Sequence, residues 1–484
     1  MPPPRFVVVI FALTFQAAMD GAQGQATAPA RRDIHVSLQT GSDGNDGVAM
    51  PVKTIARGLK LAMAGDTVHL APGRYKESAV FANKLGEPGQ PITLDGHGAV
   101  LDGADPLNAA DWQMTAPGLY RNDHLLRMDP AILMRWYFVF DGKMNHMGRT
   151  SKGPSAPLKK PEELAPGEWT YLPDAPVTRE TKDGKPWDGA HVTGAFFIKI
   201  DPAKTLDDDR IEAPLRSAGV QFSGKCAHIV VRNVTATHVY NDGFNIHGDQ
   251  RDLVFENITA IDCGDDGFSA HESAECRIDG FTSIGNSTGL CDTVASSTHY
   301  RNLYVRDCLG YDVFFTSHGT HSIENALIES SAAHAISVSR DSATEGVCQV
   351  RFKNVFARRV GGGPQEFRIS RGAVLDAERC TFENLMVQAT PGSAANFQRC
   401  VITGDPKPEL FIWKEVAWRG AGNAYDVKSL RVDQTSFTPE TFADFQKLTG
   451  SEQDSQWSAP EPRPVDLGAD ETALRKLLGN QIPK

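Results

Sequence analysis

Short runs of alternating apolar and polar residues fill the middle of the chain, and Asn, Asp, Gly or Ser separate these runs. Examples are IVVRNVTA, LVFENITA, LYVRD and VRFKNVFA. Alternation over about four to eight residues is typical of a strand with one buried face, and the separating residues favour tight turns. The pattern predicts many brief strands and few long helices.

These strands belong to a repeat of about two dozen residues. Residues 230–253 align with residues 254–278 at a shift of 24, and six of the coincidences carry the repeat. The pairs are Asn233 and Asn257, Thr235 and Thr259, Asp242 and Asp266, Gly243 and Gly267, Phe244 and Phe268, and His247 and His271. Such units bury a continuous interior only when they stack, and rungs about 4.8 Å apart place equivalent residues directly above one another. We expect an all-β fold, a parallel β-helix (solenoid) whose main part spans residues 212–405.

The opening segment indicates the same architecture by resemblance. Residues 34–103 contain IHVSLQTGSDGNDGVAMPVKTIARGLKLAMAGDTVHLAPGRYKES and QPITLDGHGAVLDG. Both stretches resemble the first coils of right-handed parallel β-helix proteins of the pectate-lyase-like superfamily. The resemblance implies an amphipathic capping helix at residues 54–62, first coils over residues 29–105 and a polysaccharide substrate.

The repeat is lost over residues 106–211, where aromatic residues concentrate. They are Trp112, Tyr120, Trp136, Tyr137, Trp169, Tyr171 and Trp187. A Gly-x-Trp-x-Tyr run, Gly167 to Tyr171, resembles small β modules that interrupt the helix in some β-helix glycoside hydrolases, so we expect an inserted β domain. Its aromatics either form the core of that module or offer a wall for stacking on sugars. Residues 406–484 are irregular and are expected to form a C-terminal extension that packs outside the stack.

Length, charge and the N-terminus narrow the classes of function. The chain has 484 residues and a formal net charge of −11, which disfavours a general nucleic-acid binder because such binding relies on phosphate neutralisation. Residues 1–28 are typical of a cleavable signal peptide, with Arg5 before a short apolar run and small residues after it. No stretch is long enough to cross a membrane. We expect a secreted or periplasmic monomer, whose eight cysteines are too sparse for a disulfide framework.

Acidic residues on neighbouring coils form the leading candidate site. Asp242 lies one repeat before Asp265 and Asp266. Carboxylates one rung apart repel, which raises the pKa of one and leaves the other ionised, as a general acid and a general base require. Asn241-Asp242 and Gly264-Asp265-Asp266 are similar to the Asn-Thr-Asp and Gly-Asp-Asp motifs of polygalacturonase-type hydrolases. That resemblance implies inverting hydrolysis, with Asp265 or Asp266 as acid and Asp242 as base, at a separation of about 6.5 to 9.5 Å.

Histidines recur beside these carboxylates. The spacing predicts a column of His247, His271 and His318, with Asp312 in the same register. Imidazoles next to carboxylates suit proton transfer, so we expect His271 and His318 to take part in catalysis and His247 and Asp312 to bind substrate.

A second resemblance concerns the following coils. The segments from Tyr311 to His318 and from His334 to Arg340 look like parts of β-helix uronan C5-epimerases. In that case His318 would act on the C5 proton, Tyr311 would act on the other face, and Arg340 would neutralise the uronate carboxylate.

Arginines downstream suggest an acidic glycan. Arg340, Arg368 and Arg371 are candidate substrate-binding residues, because Arg binds carboxylates bidentately. Arg368-Ile369 also resembles the start of the Arg-Ile-Lys motif of the polygalacturonase-type hydrolases. The same charges could instead serve solubility alone.

Three functions remain open. The leading one is a secreted enzyme that hydrolyses glycosidic bonds in a polysaccharide with paired Asp residues and no cofactor. A polyuronate lyase or C5-epimerase is second, with the possibility that Asp242, Asp265, Asp266 and Glu272 hold Ca²⁺ through oxygens. The third is a non-catalytic glycan-binding β-helix protein, in which the Asp residues only shape turns.

Overall fold

The protein is an all-β solenoid. A computed structural model describes residues 31–125, 130–174, 181–182, 185–186, 194–208, 210–340, 345–361, 365–458 and 462–482. The predicted signal peptide and Trp187 lie outside these residues. Two long sheets of parallel strands run along the stack and confirm the predicted parallel β-helix.

The first sheet has 17 strands, which pair in parallel from turn to turn. They are Asp33–Val36, Thr67–Leu70, Arg74–Tyr75, Ile92–Asp102, Lys225–Thr237, Asp249–Ile261, Glu275–Ile284, Ser297–Arg306, Thr320–Ser330, Cys348–Arg359, Ala373–Glu378, Thr381–Glu383, Ala394–Gln398, Val401–Thr403, Ala417–Ala421, Ala424–Tyr425 and Gln456–Trp457.

The second sheet has 12 strands and carries the candidate site on its outer face. They are Ala79–Ala82, Val220–Ser223, Phe244–Ile246, Asp266–Ala270, Thr288–Asp292, Tyr311–Phe315, His334–Val338, Gln365–Ile369, Leu385–Ala389, Glu409–Ile412, Ser429–Val432 and Thr435–Phe437. The last of these pairs antiparallel with its neighbour, and the others pair in parallel.

Register explains the sequence repeat. Phe244 pairs with Phe268, which pairs with Leu290, and the same column continues through Val313 and Ile336. All five side chains are buried inside the stack. A shift of one residue would move this column to the solvent face, so the apolar alternation fixes the register.

The repeated Asn residues have a structural role at one corner. Asn257, Asn302, Asn325 and Asn354 each adopt a left-handed backbone with φ between 49° and 58°. The side-chain amide of Asn257 donates to Asn233 Oδ1 at 2.9 Å, and that of Asn354 donates to Asn325 Oδ1 at 2.8 Å. Asn tolerates this conformation better than other non-glycine residues, and stacked Asn side chains satisfy one another's amides.

The described residues between 104 and 214 form a small module of antiparallel sheets beside the solenoid. One sheet comprises Ala104–Pro106, Phe138–Phe140, Lys143–Asn145 and Ile211–Pro214. A second sheet comprises Gln113–Ala116, Leu119–Asn122, Glu168–Pro173 and Gly194–Lys199. A separate pair of short strands comprises Thr181–Lys182 and Lys185–Pro186. Trp136, Trp169 and Tyr171 are buried in one apolar cluster with Phe138 and Phe196. These aromatics therefore form the core of the module and not a wall for sugars.

The helices are short and lie outside the stack. They are α1 (Ile55–Leu61), α2 (Pro130–Met134), α3 (Phe442–Thr449) and α4 (Glu471–Leu478), with single 3₁₀ turns at Ala109–Asp111, Pro161–Glu163, Pro439–Thr441 and Gly479–Gln481. The Thr54 side chain accepts from the Arg57 N–H at the start of α1, which is the helix expected near residues 54–62. None of the helices among the described residues has the length and apolar character to cross a membrane.

The stack continues beyond residue 405, where the sequence suggested that it ends. Strands Glu409–Ile412, Ala417–Ala421 and Ser429–Val432 extend both sheets in register. This part lacks the Asn and Asp-Gly signature but keeps buried apolar residues such as Leu410 and Leu430, and these suffice to form a rung. Further along the chain, Phe442 and Phe445 of α3 still belong to the main apolar core, whereas Leu474 and Leu478 of α4 pack on the outside of the first sheet against Tyr304 and Leu327.

Candidate functional site

The candidate site begins where three carboxylates meet at one corner of the second sheet. The backbone N–H of Asp266 donates to Asp242 Oδ1 at 3.0 Å across one turn, and the side chains of Asn241 and Asn245 donate to Asp242 Oδ2. One oxygen from each of Asp242, Asp265 and Asp266 lies within 4.8 Å of the others. The repeat therefore brings the predicted acidic residues together.

The repeated Asp-Gly motif is partly a packing device. A Cβ on Gly267 would lie 2.5 Å from the Gly289 carbonyl oxygen, and one on Gly243 would lie 2.8 Å from the Gly267 carbonyl oxygen. The corner therefore needs glycine for space, whatever the neighbouring aspartates do.

A loop of the module places a lysine in the centre of the acidic corner. Lys152 Nζ lies 2.8 Å from Asp265 Oδ1 and 2.5 Å from Asp266 Oδ1. Arg135 and Ser151, also in the module, donate to Asp265 at 2.5 Å each. The side chains of Asp265 and Asp266 are only 8% and 4% exposed, and Lys152, at 21%, forms the solvent edge of the cluster.

Burial and charge separate the proton affinities of the three carboxyl groups. Burial disfavours ionisation of Asp265, but Lys152 and Arg135 outweigh it and lower its pKa to about 2. Burial and the negative charge of Asp265 raise the pKa of Asp242 to about 7 and that of Asp266 well above its usual range. Burial alone would lower the pKa of Lys152, but Asp265 and Asp266 raise it well above normal. At neutral pH the corner holds an ionised carboxylate (Asp265), a fixed cation (Lys152), a protonated carboxyl group (Asp266) and a carboxyl group that is about half ionised (Asp242).

Two of the three predicted histidines stack beside this corner. The rings of His247 and His271 lie 4.1 Å apart, and His271 Nε2 lies 2.8 Å from Ser269 Oγ. Burial, and then His247, lower the pKa of His271 to about 4, so its imidazole is neutral at pH 7. His247 Nδ1 faces Glu272 Oε2 at 3.2 Å.

The predicted position of His318 in this column is wrong. The backbone hydrogen bonds between turns show that Thr293 and then Thr316 occupy the position of His271 on the next two turns. His318 lies two residues further along its turn, next to Gly346. The spacing of 47 residues from His271 included a turn of different length, which a count along the chain could not reveal.

Asp312 is not available to a substrate. It is fully buried inside the coil, and this burial raises its pKa to about 7. It occupies the position taken by Gly267 and Gly289 on earlier turns, whose missing side chains would point inward. In the structure the column of Asp266 continues through Thr288 to Tyr311, whereas the residue count had aligned Asp266 with Asp312. Asp312 is therefore one residue out of that register, and its side chain faces the interior.

The predicted arginines lie further along the same face. Arg368 follows Ser337 and Phe314 in the outward column of the second sheet. Arg340 and Arg371 lie at the turn after the strands, where the Arg340 N–H donates to the Arg371 carbonyl at 3.2 Å. All three are therefore separated from the acidic corner by at least two turns.

A cleft of about 220 Å³ surrounds Arg368 and brings together groups that are far apart in the sequence. The Tyr311 ring stacks on His334 at 4.8 Å, and His334 Nδ1 lies 3.7 Å from Glu366 Oε2. Arg368 lies 4.0 Å from the same carboxylate. The cleft thus offers a phenol, an imidazole and a guanidinium to one ligand.

A line of hydroxyl groups connects the acidic corner to the far end of this face. The position of His271 is taken on successive turns by Thr293, Thr316, Ser339, Ser370, Thr390 and Trp413. Trp413 is 38% exposed and stacks near Phe411 at 4.6 Å between ring centres. Six turns correspond to about 29 Å at about 4.8 Å per rung.

Lys152, Arg135 and Glu366 were not found from the sequence. Lys152 is 113 residues from Asp265, in a segment outside the repeat, and nothing local marks it. The only available signal was electrostatic, because a buried group of three carboxylates requires a cation.

The oxygens that the sequence suggested for Ca²⁺ are only partly suitable. Asp242, Asp265 and Asp266 converge, but Lys152 Nζ already contacts two of them, and Glu272 pairs with His247 instead. A cation at this corner would have to displace the ammonium group.

Comparisons with known proteins add a loose similarity of shape. No protein-family model matches the chain, and no curated protein matches it. Among solved structures, XylC with xylose has a TM-score of 0.49 at 11% identity and covers 84% of this chain and 87% of its own. A structure described as a glycoside hydrolase has a TM-score of 0.45 at 10% identity, and the match covers 91% of this chain and 99% of that one. The structure of pectate lyase Pel9A has a TM-score of 0.36 at 12% identity, and the match covers 74% of this chain and 77% of that one.

Similarity at this level carries no information on the reaction. The fold and the geometry of the site define a parallel β-helix protein with a buried acidic corner and a long polar face on one sheet.

Proposed function

We propose that the protein is a carbohydrate-active enzyme that cleaves glycosidic bonds in a polysaccharide. The observation that carries the proposal is the acidic corner, where Asp265 is ionised, Asp266 retains its proton and Asp242 has a pKa of about 7. Carboxyl groups with separated proton affinities are what acid and base catalysis of glycoside cleavage requires.

In this proposal Asp266 is the proton donor to the leaving oxygen. Its raised pKa keeps the proton available at neutral pH, and Lys152 holds one of its oxygens in place. Asp242, whose pKa of about 7 leaves it about half ionised at neutral pH, is the nucleophilic carboxylate. It attacks the anomeric carbon as the leaving oxygen takes the proton of Asp266, and water then releases the sugar from it. Asp265 fixes Lys152 and Arg135 without contacting the sugar.

The spacing favours retention over the inversion implied by the resemblance. The oxygens lie within 4.8 Å of one another, below the range of about 6.5 to 9.5 Å that leaves room for an attacking water. The reason is the rung spacing of about 4.8 Å, which limits the separation of side chains on adjacent turns. We expect the product to keep the anomeric configuration of the substrate.

The test is an incubation of the protein with neutral and acidic polysaccharides. New reducing ends are measured together with the ultraviolet absorbance of unsaturated uronides. Hydrolysis gives reducing ends without absorbance, and Asp266→Asn should abolish them. Asp279→Asn, which changes an exposed Asp on the first sheet, is the matched control and should keep full activity.

The cleft around Arg368 supports a second candidate, a lyase or C5-epimerase. Arg368 would neutralise a uronate carboxylate, while His334 and Tyr311 would move the C5 proton. Unsaturated products would favour the lyase, and solvent hydrogen incorporated at C5 without cleavage would favour the epimerase. Both signals should then be lost in His334→Ala and retained in Asp266→Asn.

Non-catalytic glycan binding is the remaining alternative. It would require the Asp side chains to bond mainly to backbone amides, whereas Asp265 and Asp266 contact Lys152, Arg135 and Ser151. Binding of a polysaccharide with no product of any kind would support this alternative and contradict the enzyme.

A further inference from the structure

A second cluster of chemically active side chains lies at the N-terminal end of the stack, on the outer face of the first sheet. His35 pairs with His69, and His69 pairs with Asp95, on three successive strands. Two imidazoles and a carboxylate are therefore stacked in one outward column. His97, two residues after Asp95, extends the group. This cluster is on the other sheet from the acidic corner and has no part in the proposed function.

The donor atoms of this cluster converge. His69 Nδ1 lies 2.9 Å from His97 Nε2, and His97 Nδ1 lies 3.7 Å from Asp95 Oδ1. One donor atom from each of His69, His97 and Asp95 lies within 4.8 Å of the other two. Ligands of a tetrahedral metal ion with bonds of about 2.0 to 2.1 Å are about 3.3 Å apart, so small side-chain rotations would complete the geometry.

The surroundings orient these ligands as metal sites commonly do. The other ring nitrogen of His69, Nε2, lies 2.9 Å from Asp33 Oδ1. A carboxylate on the far side of an imidazole fixes its tautomer and directs the free nitrogen toward a metal. Arg232 Nε and Asn233 Nδ2 donate to Asp95 at 2.8 and 2.9 Å, which holds that carboxylate in place.

The backbone also turns His97 toward Asp95. His97 has φ 48° and Gly98 has φ 84°, so two successive left-handed residues bend the chain sharply after Asp95. The His97 N–H donates to Asp95 Oδ1 at 3.2 Å. A left-handed histidine is uncommon, and here it keeps two donors of one strand on the same side.

We propose that His69, His97 and Asp95 form a binding site for a divalent transition metal ion of the zinc type. Two imidazole nitrogens and one carboxylate suit zinc and its neighbours, whereas Ca²⁺ and Mg²⁺ prefer oxygen ligands. A groove of about 450 Å³ beside His35 and His69 leaves room for a water molecule or a further ligand on the ion. The ion would link strands Thr67–Leu70 and Ile92–Asp102 and stabilise the first turns of the stack.

The test is a calorimetric titration of Zn²⁺ into the full-length protein after removal of metals with a chelator. We expect one ion per chain at this site, and a loss of affinity of more than about 100-fold in His69→Gln and His97→Ala, since even second-shell changes cost about 10- to 100-fold. His299→Ala is the matched control, because His299 is exposed on the same sheet, lies outside this cluster and has its Nδ1 2.9 Å from Ser322 Oγ. It should bind Zn²⁺ as the unchanged protein does.

A second readout uses the unchanged protein and does not depend on the folding of a variant. Cu²⁺ added at one equivalent should show electron paramagnetic resonance coupling to two imidazole nitrogens. Zn²⁺ should also raise the thermal unfolding midpoint of the unchanged protein and of His299→Ala, but not that of His97→Ala.

Three results would overturn the proposal. The first is the absence of Zn²⁺ binding. The second is binding that persists unchanged in both His69→Gln and His97→Ala. The third is binding that disappears in His247→Ala while His69→Gln retains it, because the ion would then belong to the His247, His271 and Glu272 group.

Discussion

Replacement of Lys152 by Met tests whether the acidic corner depends on this one cation. The substitution keeps the length of the side chain and removes the ammonium group that contacts Asp265 and Asp266. Because the side chains of Lys152, Asp265 and Asp266 are mostly buried, water screens the attraction between the ammonium group and the two carboxyl groups only weakly. Removal of one partner of a buried ion pair costs about 3 to 5 kcal/mol, so we expect Lys152→Met to lower the free energy of unfolding by about that amount at pH 7.

The cost should depend on pH in a defined direction. Asp265 has a folded pKa of about 2, below its ordinary 3.8, so its ionised form stabilises the fold above about pH 4, and this stabilisation is lost as the pH falls through 2. Asp242 has a folded pKa raised to about 7, so its protonated form favours the fold at low pH, and this contribution is lost as the pH rises through 7. Asp266 follows the same direction as Asp242. At pH 4 Asp242 is protonated, so Lys152→Met leaves Asp265 as the uncompensated charge, and the cost should be smaller than at pH 8, where Asp242 is also ionised.

The assay is denaturant unfolding of both proteins at pH 4 and pH 8, with Lys159→Met as the control. Lys159 lies in the same module and pairs with Glu168 at 2.5 Å, but it is 42% exposed. An exposed pair contributes about 0 to 1 kcal/mol, so the control should change little at either pH. Equal and small losses for the two variants, without dependence on pH, would refute the electrostatic account of the corner.

Three further predictions concern catalysis, substrate length and stability. Activity should decline on the alkaline side of the pH profile, because Asp266 there loses the proton that it donates, and a rate that keeps rising through the alkaline range would contradict that role. Trp413→Ala should raise KM for long polysaccharides several-fold and leave short oligosaccharides unaffected, because Trp413 lies six turns, about 29 Å at about 4.8 Å per rung, along the stack from His271. Kinetics on a series of chain lengths measures this. Glu452→Gln should lower the stability of the C-terminal part by about 3 kcal/mol, because the buried carboxylate accepts from Trp418 and Tyr425 and an amide would place a donor against donors. Thermal denaturation checks this last result, and an unchanged midpoint would contradict it.

Much of the fold was accessible from the sequence because a solenoid is built from local repeats. Phe244 and Phe268 recur at the same interval as Asp242 and Asp266, and each turn contacts mainly its neighbours. The interval therefore predicted both the apolar interior and the meeting of the carboxylates. The prediction failed where turns differ in length, so His318 left the histidine column and Asp312 turned inward.

The chain by itself determined the parallel stack and the meeting of the three carboxylates, since both follow from periodicity over short distances. Only the tertiary structure decided what the corner contains. Lys152 and Arg135 arrive from the module, more than a hundred residues away, and they set the proton affinities of the carboxyl groups. Periodicity cannot specify such contacts, because they depend on how the module packs on the sheet and not on any local pattern.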